Sequence, residues 1–241
     1  MEIQGSVVLI TGASRGLGLE VARLFARRGA KLAITARGAA ALEAAADELG
    51  RLTEVLAVPG NVADAEHPRR LVRLTEERLG PVDVLINNAS SLGGVPMPRV
   101  EEMRLDVPNE APQVNIVAPL RFTQLVLPGM RARGRGVIVN VTSDAAVNAY
   151  PGWAVYGASK ASMEQFTRVL AAELAGSGVR VYLVDPGNMD TELHRQAEPG
   201  VDLSHLPGPA VPAPAFVHLV ERETAPFGRF EAMKLVPMGA V

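Results

Sequence analysis

At 241 residues the chain is long enough for one sizeable hydrophobic core, and no Ser/Gly-rich or Pro-rich linker divides it before residue 195. A formal net charge of −2 with 21% charged residues excludes the basic field that nucleic acid or an acidic membrane surface would need, and the absence of cysteine removes disulfides, thiolate metal sites and cysteine nucleophiles together. Met1 to Ser6 lacks a basic n-region and a long apolar stretch, and no run of 18 apolar residues follows, so the expectation is a soluble cytoplasmic protein with no signal peptide, no membrane span and no metal site.

Short β-branched runs alternate with Ala/Leu/Arg/Glu segments of helical period. Residues 7–10 read as a strand buried on both faces, and residues 19–28 as a helix with Val21, Leu24 and Phe25 on one side. Residues 32–35 form a second strand and 39–49 a second helix closed by Gly50. A third strand runs over 54–58 and a third helix over 66–79, ended by Gly80-Pro81. Residues 82–87 and 137–141 are further strands, separated by a long helix that ends near Arg133-Gly134; 155–175 is helical and 179–184 is again a strand. Beyond Thr191, Pro199, Pro207, Pro209, Pro212 and Pro214 exclude long helix, which leaves a loop and then a short helix over 215–223. The alternation predicts an α/β fold with one doubly wound parallel sheet. A ligand of such a sheet lies beyond the carboxyl ends of the strands.

Thr11-Gly12-Ala13-Ser14-Arg15-Gly16-Leu17-Gly18 joins the first strand to the first helix. Its glycines let the backbone turn tightly and approach a diphosphate, and the helix N-terminus offers free N–H donors. The spacing is G-x-x-x-G-x-G rather than G-x-G-x-x-G, so a plain structural turn stays open on this motif alone. A fold of this kind that binds NAD carries an acid at the end of the second strand to hold the ribose 2′-hydroxyl. Here the strand ends Thr35-Ala36-Arg37, and Arg37, aided by Arg15, offers guanidinium forks that suit a 2′-phosphate. The expected cofactor is NADP in preference to NAD.

Tyr156-Gly157-Ala158-Ser159-Lys160 puts a phenol and an ammonium on one face of a helix. With three tyrosines and three lysines in the chain, only about 0.04 such pairs arise by chance. A free phenol ionises near pH ~10, and a neighbouring cation lowers that value, so the pair suits proton exchange with a carbonyl oxygen. Ser143, thirteen residues before Tyr156, ends a strand where its hydroxyl reaches a substrate oxygen; by itself it fits a turn or cap equally well. Asn115 lies in an apolar helical stretch, which calls for partners, whether structural or functional.

With Asn87-Asn88-Ala89, Pro186-Gly187 and Thr191 added, the chain resembles the short-chain dehydrogenase/reductase family, in order, from Ser6 to about Thr191. The resemblance implies one NAD(P)-binding, Rossmann-type domain over residues 1–241, with a variable substrate-binding segment at 188–224. It implies a tetrad: Tyr156 as acid/base, Lys160 on the nicotinamide ribose, Ser143 orienting the substrate, and Asn115 helping to hold a relay water. Cofactor contacts are implied for Gly12, Ser14, Arg15, Gly16, Leu17, Gly18, Arg37, Asn61, Val62, Asn88, Ala89, Pro186, Gly187 and Thr191, besides Tyr156 and Lys160. Three positions depart from the family. Asn61 stands where Asp is usual, Ser90 replaces the Gly after Asn-Asn-Ala, and residues 230–241 match the family's last strand poorly.

The implied activity is NADP-linked interconversion of a carbonyl and an alcohol by hydride transfer on a small, apolar substrate, with Leu92, Tyr150, Trp153, Met189, Leu193 and His194 as pocket neighbours; His194 reads as an ordinary loop histidine. Two other readings compete: a nucleotide-binding redox sensor without turnover, and a different Rossmann-type enzyme such as a methyltransferase. The first tends to lose Tyr or Lys from the tetrad, and the second has no purpose for Arg37 or the Tyr-x-x-x-Lys helix. The resemblance also implies a homodimer or homotetramer, through helices around 120–131 and 155–175, with Leu120, Leu127, Phe166 and Leu170 sharing burial.

Overall fold

Strand β1 (Val7–Thr11) is buried along its whole length and pairs in parallel on both sides, with β2 (Lys31–Thr35) and with β4 (Val84–Asn87). The computed structural model describes residues 1–104 and 106–235. Adding β3 (Val55–Ala57), β5 (Gly136–Val141), β6 (Val179–Asp185) and β7 (Phe227–Glu231) gives seven parallel strands in the order β3-β2-β1-β4-β5-β6-β7. Parallel pairing requires crossovers that cover both faces, and that is why β1, β4 and β5 are apolar without alternation.

Side chains of one strand still divide between two cores, because successive residues point to opposite faces. Val8 and Ile10 pack with α1 (Gly16–Arg27), α2 (Ala39–Leu49) and α7 (Pro214–Glu221) through Phe25, Leu42 and Phe216. Val7 and Leu9 pack with α3 (Glu66–Arg78), α4 (Ala118–Ala132) and α5 (Ala154–Glu173) through Leu71, Phe122 and Leu170. The chain runs outward from β1 to β3 and then returns to β4, so the strand order reverses between β1 and β4. A crevice opens there at the carboxyl ends, as in other doubly wound sheets.

The elements expected before residue 185 form within three residues of their predicted ends; the largest single shift is at the start of α1, which begins at Gly16 inside the glycine loop. The C-terminal part differs more. A six-residue helix, α6 (Glu192–Ala197), interrupts the expected loop, with Thr191 as its N-cap accepting from His194 N at 3.3 Å. The last strand forms earlier than the stretch over 230–241, as β7 followed by the short α8 (Ala232–Leu235); residues 236–241 lie outside the described residues. Gly228 and Arg229 break any apolar run in β7, and the strand is tied by backbone pairing to β6 and by Tyr182 Oη, which donates to Ala225 O at 2.9 Å. Leu170, expected at a subunit interface, is instead buried within the chain against the α3/α4 side of the sheet, because its face of α5 turns inward.

Because Phe216 in α7 has no exposed surface, Phe216→Ala leaves a cavity in the core rather than trimming a loose tail. The expected cost is about 3–5 kcal/mol in urea unfolding at unchanged slope. A loss under about 1 kcal/mol would show that α7 is not part of the cooperative core.

Candidate active site

The turn from β1 into α1 is tight because neighbours leave no room. A Cβ on Gly18 would stand 2.3 Å from Gly12 O and 2.5 Å from Asn88 Nδ2, and one on Gly12 would stand 2.9 Å from the same amide. Asn88 straps the loop down, its Nδ2 donating to Thr11 O at 2.9 Å and Gly12 O at 3.1 Å. Thr11 Oγ1 in turn accepts from Asn88 N and Ala89 N, both at 3.0 Å. The Asn88 side chain therefore shapes the glycine turn, while the residue also lines the cleft. Gly16, with φ +57°, faces open space where a Cβ would point.

That space is a cleft of about 750 Å³ running along the carboxyl ends of the strands. A nicotinamide dinucleotide fits what lines it. Helix α1 has no side-chain N-cap and no acid in its first turn, so its first N–H groups and dipole are free for an anion. Helix α2, which starts just after Arg37, likewise has no side-chain cap and no acid in its first turn. Arg15, Arg37, Asn61 and Val62 all border this end, with Ser14, Leu17 and Ala89 between it and the centre. Arg37 has a 66% exposed side chain whose guanidinium lies 3.5 Å from Glu110, an exposed pair worth on the order of 0–1 kcal/mol. It is therefore free to turn toward another anion. Asn61 uses its Oδ1 to accept from Ala63 N at 3.0 Å.

At the other end α5 carries Tyr156 and Lys160 on its inward face, both buried. Lys160 Nζ lies 5.6 Å from the centroid of the Tyr156 ring and donates to Val141 O at 2.9 Å. Gly157 lets the helix close on the turn after β5, since a Cβ there would stand 2.8 Å from Ala145 O. Ser143 begins that turn; its Oγ accepts from Ala145 N at 3.2 Å and donates to Asp144 Oδ1 at 3.1 Å. Burial pushes the Tyr156 phenol up to about 12, against the hydroxyls of Ser143 and Ser90, which favour its ionisation; Asp185 and Asp144 add to the rise. Burial also pushes Lys160 down to about 8, with Asp185 pulling the other way. The lowering of Tyr156 by Lys160 expected from the motif is thus not met in the free protein. Both groups are dry, and desolvation disfavours the charged form of each.

Asn115 is the one expected tetrad member that does not border the cleft. It sits in a π-turn, Gln113–Val117, ahead of α4. Its Nδ2 donates to Ser91 O at 2.8 Å and Ser159 Oγ at 2.9 Å, and its Oδ1 accepts from Ser91 N at 2.9 Å and Ser90 Oγ at 3.2 Å. The amide has no capacity left for a water, so its contribution comes through the two segments it fixes.

Leu92, Trp153 and Leu193 form an apolar wall with Met97 around Tyr156, and the Trp153 ring meets the Tyr156 ring edge-on at 5.7 Å. Met189, His194, Pro186, Gly187 and Thr191 also border the cleft. Tyr150 does not; it packs against Trp153 at 5.5 Å and donates to Asp144. His194 is engaged with Met189 O at 3.1 Å and Glu198 at 3.3 Å, which anchors α6. Sequence reasoning passed over Ser91, Glu110, Asp144 and Asp185 at the cleft wall. Asp144, next to Ser143, and Asp185, next to Pro186, had a positional signal; Ser91 and Glu110 had none.

A short chain dehydrogenase sequence profile matches residues 6–202. The chain is 34% identical over 193 residues to a 3-oxoacyl-[acyl-carrier-protein] reductase of Vibrio cholerae, a match covering 80% of this chain and 77% of that protein. It is 37% identical over 192 residues to the glycine betaine reductase ATRR of Emericella nidulans, covering 79% of this chain but 15% of that much longer protein. Among solved structures, an alcohol dehydrogenase from the archaeon Thermococcus sibiricus, complexed with 5-hydroxy-NADP, superposes with a TM-score of 0.82 at 30% identity over 94% of this chain and 95% of that one. With the profile matched over most of the chain and the fold shared along nearly its whole length, the chain belongs to the short-chain dehydrogenase/reductase family of NAD(P)-dependent oxidoreductases.

Proposed function

We propose that the protein interconverts a carbonyl and an alcohol on a small apolar substrate with NADP as cofactor, and that Tyr156 gives and takes the proton at the substrate oxygen. The observation that carries this reading is the buried Tyr156 at the cleft wall, with Lys160 one turn along, Ser143 beside it and an apolar wall in front of it. The nicotinamide, when bound, supplies or accepts the hydride. Lys160 holds positive charge close to the phenol and would hold the nicotinamide ribose when the cofactor is bound. Ser143 Oγ, turned from Asp144, donates to the same substrate oxygen that Tyr156 protonates, and Asn115 keeps Ser90 and Ser159 in place around both. Leu92, Trp153 and Leu193 exclude water and favour an apolar substrate.

Arg37 and Arg15 support NADP over NAD, as does the cofactor analogue of the Thermococcus sibiricus relative. The presence of Asn115, Ser143, Tyr156 and Lys160 together favours turnover over a redox-sensing role. A second copy of the chain is the expected partner, through the outer faces of α4 and α5, where Leu120, Leu127 and Phe166 are half-buried and Val169 is exposed.

Tyr156→Phe should retain the fold and NADPH binding but lose at least about a hundredfold in kcat, the scale of general acid catalysis. Near-normal turnover with any carbonyl substrate would sink the mechanism.

Replacing Ala36 with Asp and Arg37 with Gln should reverse a preference for NADPH over NADH of about ten- to a hundredfold in kcat/KM, a preference that shrinks as salt is raised. Equal kcat/KM for the two cofactors in the unmutated protein would mean that Arg37 is a solvated charge only.

Lys160 also makes stability depend on pH. Its value in the folded protein, about 8, lies below its ordinary 10.5, so the unfolded chain binds more protons between those values. Stability should rise as pH climbs through that window. Tyr156, raised from 10.0 to about 12, acts with the opposite sign from about pH 10 upward, overlapping only the top of that window. Urea unfolding of the unmutated protein from pH 7 to pH 10 should show the rise, and Lys160→Met should flatten it; parallel curves for the two proteins would contradict a dry ammonium.

A further inference from the structure

The charges behind the active site lie on three separate elements. Glu164, one turn beyond Lys160 on α5, is 1% exposed and accepts from Thr142 Oγ1 at 2.9 Å, Arg168 Nη2 at 2.7 Å and Arg229 Nε at 2.9 Å. Asp185, the last residue of β6, borders the cleft, is 6% exposed and accepts from Gly187 N at 3.0 Å. Among the described residues, Arg229 is the cation within 4 Å of it, at 3.5 Å. The same guanidinium donates to Ser143 O at 3.4 Å. Arg229 stands opposite Leu183 in the β6–β7 ladder, where β7 can aim it back beneath the ends of β5 and β6.

We propose that Arg229 is a positioning residue of the active site: from the last strand its guanidinium holds the Ser143 carbonyl, the Glu164 carboxylate and the Asp185 carboxylate, and so balances the buried negative charge of Asp185 behind Lys160 and Tyr156. A buried carboxylate without a cation is costly, and its field reaches far in a dry interior. Lys160 lies against the Tyr156 ring and Val141 O, and the field of Asp185 favours its charged form. Tyr156 faces Ser143, Ser90, Asp144 and Asp185. Burial raises Asp185 most; the Gly187 N–H and then Arg229 oppose that rise, while Asp144 and Glu231 add to it. Glu164 keeps a second cation, Arg168, when Arg229 is removed; Asp185 does not. Loss of Arg229 therefore exposes Lys160 and Tyr156 to the field of Asp185, which favours the ammonium and disfavours the phenolate. Both ionisations move to higher pH. A purely mechanical tie between β7 and α5 would lower stability and leave Lys160 as it was.

The catalytic meaning of this inference rests on the function proposed above, but its test is read in the free protein. With three lysines in the chain, lysine labelled with ¹³C at Cε gives a resolvable NMR titration of Lys160. Arg229→Met should raise the Lys160 midpoint by about one pH unit. Asp185→Asn, which retains an oxygen for Gly187 N, should lower the midpoint, and Asp185→Asn with Arg229→Met should abolish the rise. A folded Arg229→Met protein with an unmoved midpoint overturns the proposal. If Arg229→Met does not fold, Asp185→Asn alone decides: a lowered midpoint supports the charge balance, and an unmoved one refutes it. Absence of turnover with every carbonyl tried would count against the proposed activity while leaving the Lys160 titration intact.

Discussion

Lys160 carries an ammonium with almost no water around it, held by one carbonyl, one aromatic face and the field of one carboxylate. An arrangement of that kind is stable only when the surrounding backbone is brought close and kept there. Gly157 allows the approach of α5 to the turn after β5. Ser159 Oγ, bonded to Tyr156 O at 2.7 Å and to the Asn115 amide, fixes the helix against the segment that follows β4. The same closeness that dries Lys160 also dries Tyr156, brings Ser143 within reach of it and sets the shape of the substrate end. The positions of the other functional groups follow from that burial.

The adenosine end obeys different physics. Arg15 and Arg37 are exposed; among the described residues Arg15 has no ion-pair partner and Arg37 has only the weak pair with Glu110. Charges there act through solvent and salt, so they contribute little to stability and stay available to an anionic ligand. The rigid component at that end is the backbone: the Asn88 strap and the glycines it crowds. One cleft thus joins a tolerant, screened half to a dry half in which single charges matter.

How far this was legible in the sequence depends on the range of the interaction. Apolar strands such as Val84–Asn87 are visible because a parallel sheet covered on both faces demands an apolar run. Tyr156 and Lys160 are visible because helical spacing is local. Strand β7 is hidden, since it is a short edge strand with Gly228 and Arg229 at its centre and half-exposed side chains. Asn115 is legible as a residue needing partners but not as one whose partners are Ser90, Ser91 and Ser159, up to 44 residues away. The direction of the Tyr156 shift is illegible for the same reason: a motif shows the neighbouring cation, whereas the opposing desolvation comes from elements distant in the chain.

The C-terminal segment shows most clearly what local patterns miss. Its prolines mark it as irregular, yet Phe216 and Leu219 fill the core over α1, and Arg180 donates to Val220 O at 3.0 Å to lock α7 to β6. Those contacts set where β7 can run, and β7 sets where Arg229 can reach. The chain after Thr191 therefore has two tasks that a composition-based reading keeps apart. Its first part, α6 with Leu193 and His194, borders the Tyr156 end of the cleft, and its last part closes the sheet and places a cation beside Glu164 and Asp185. Variation in the first part can change the lining of the cleft with little effect elsewhere, since α6 buries none of its residues. Variation in the last part cannot, because stability, the Ser143 turn and the charge behind Lys160 all depend on the same strand.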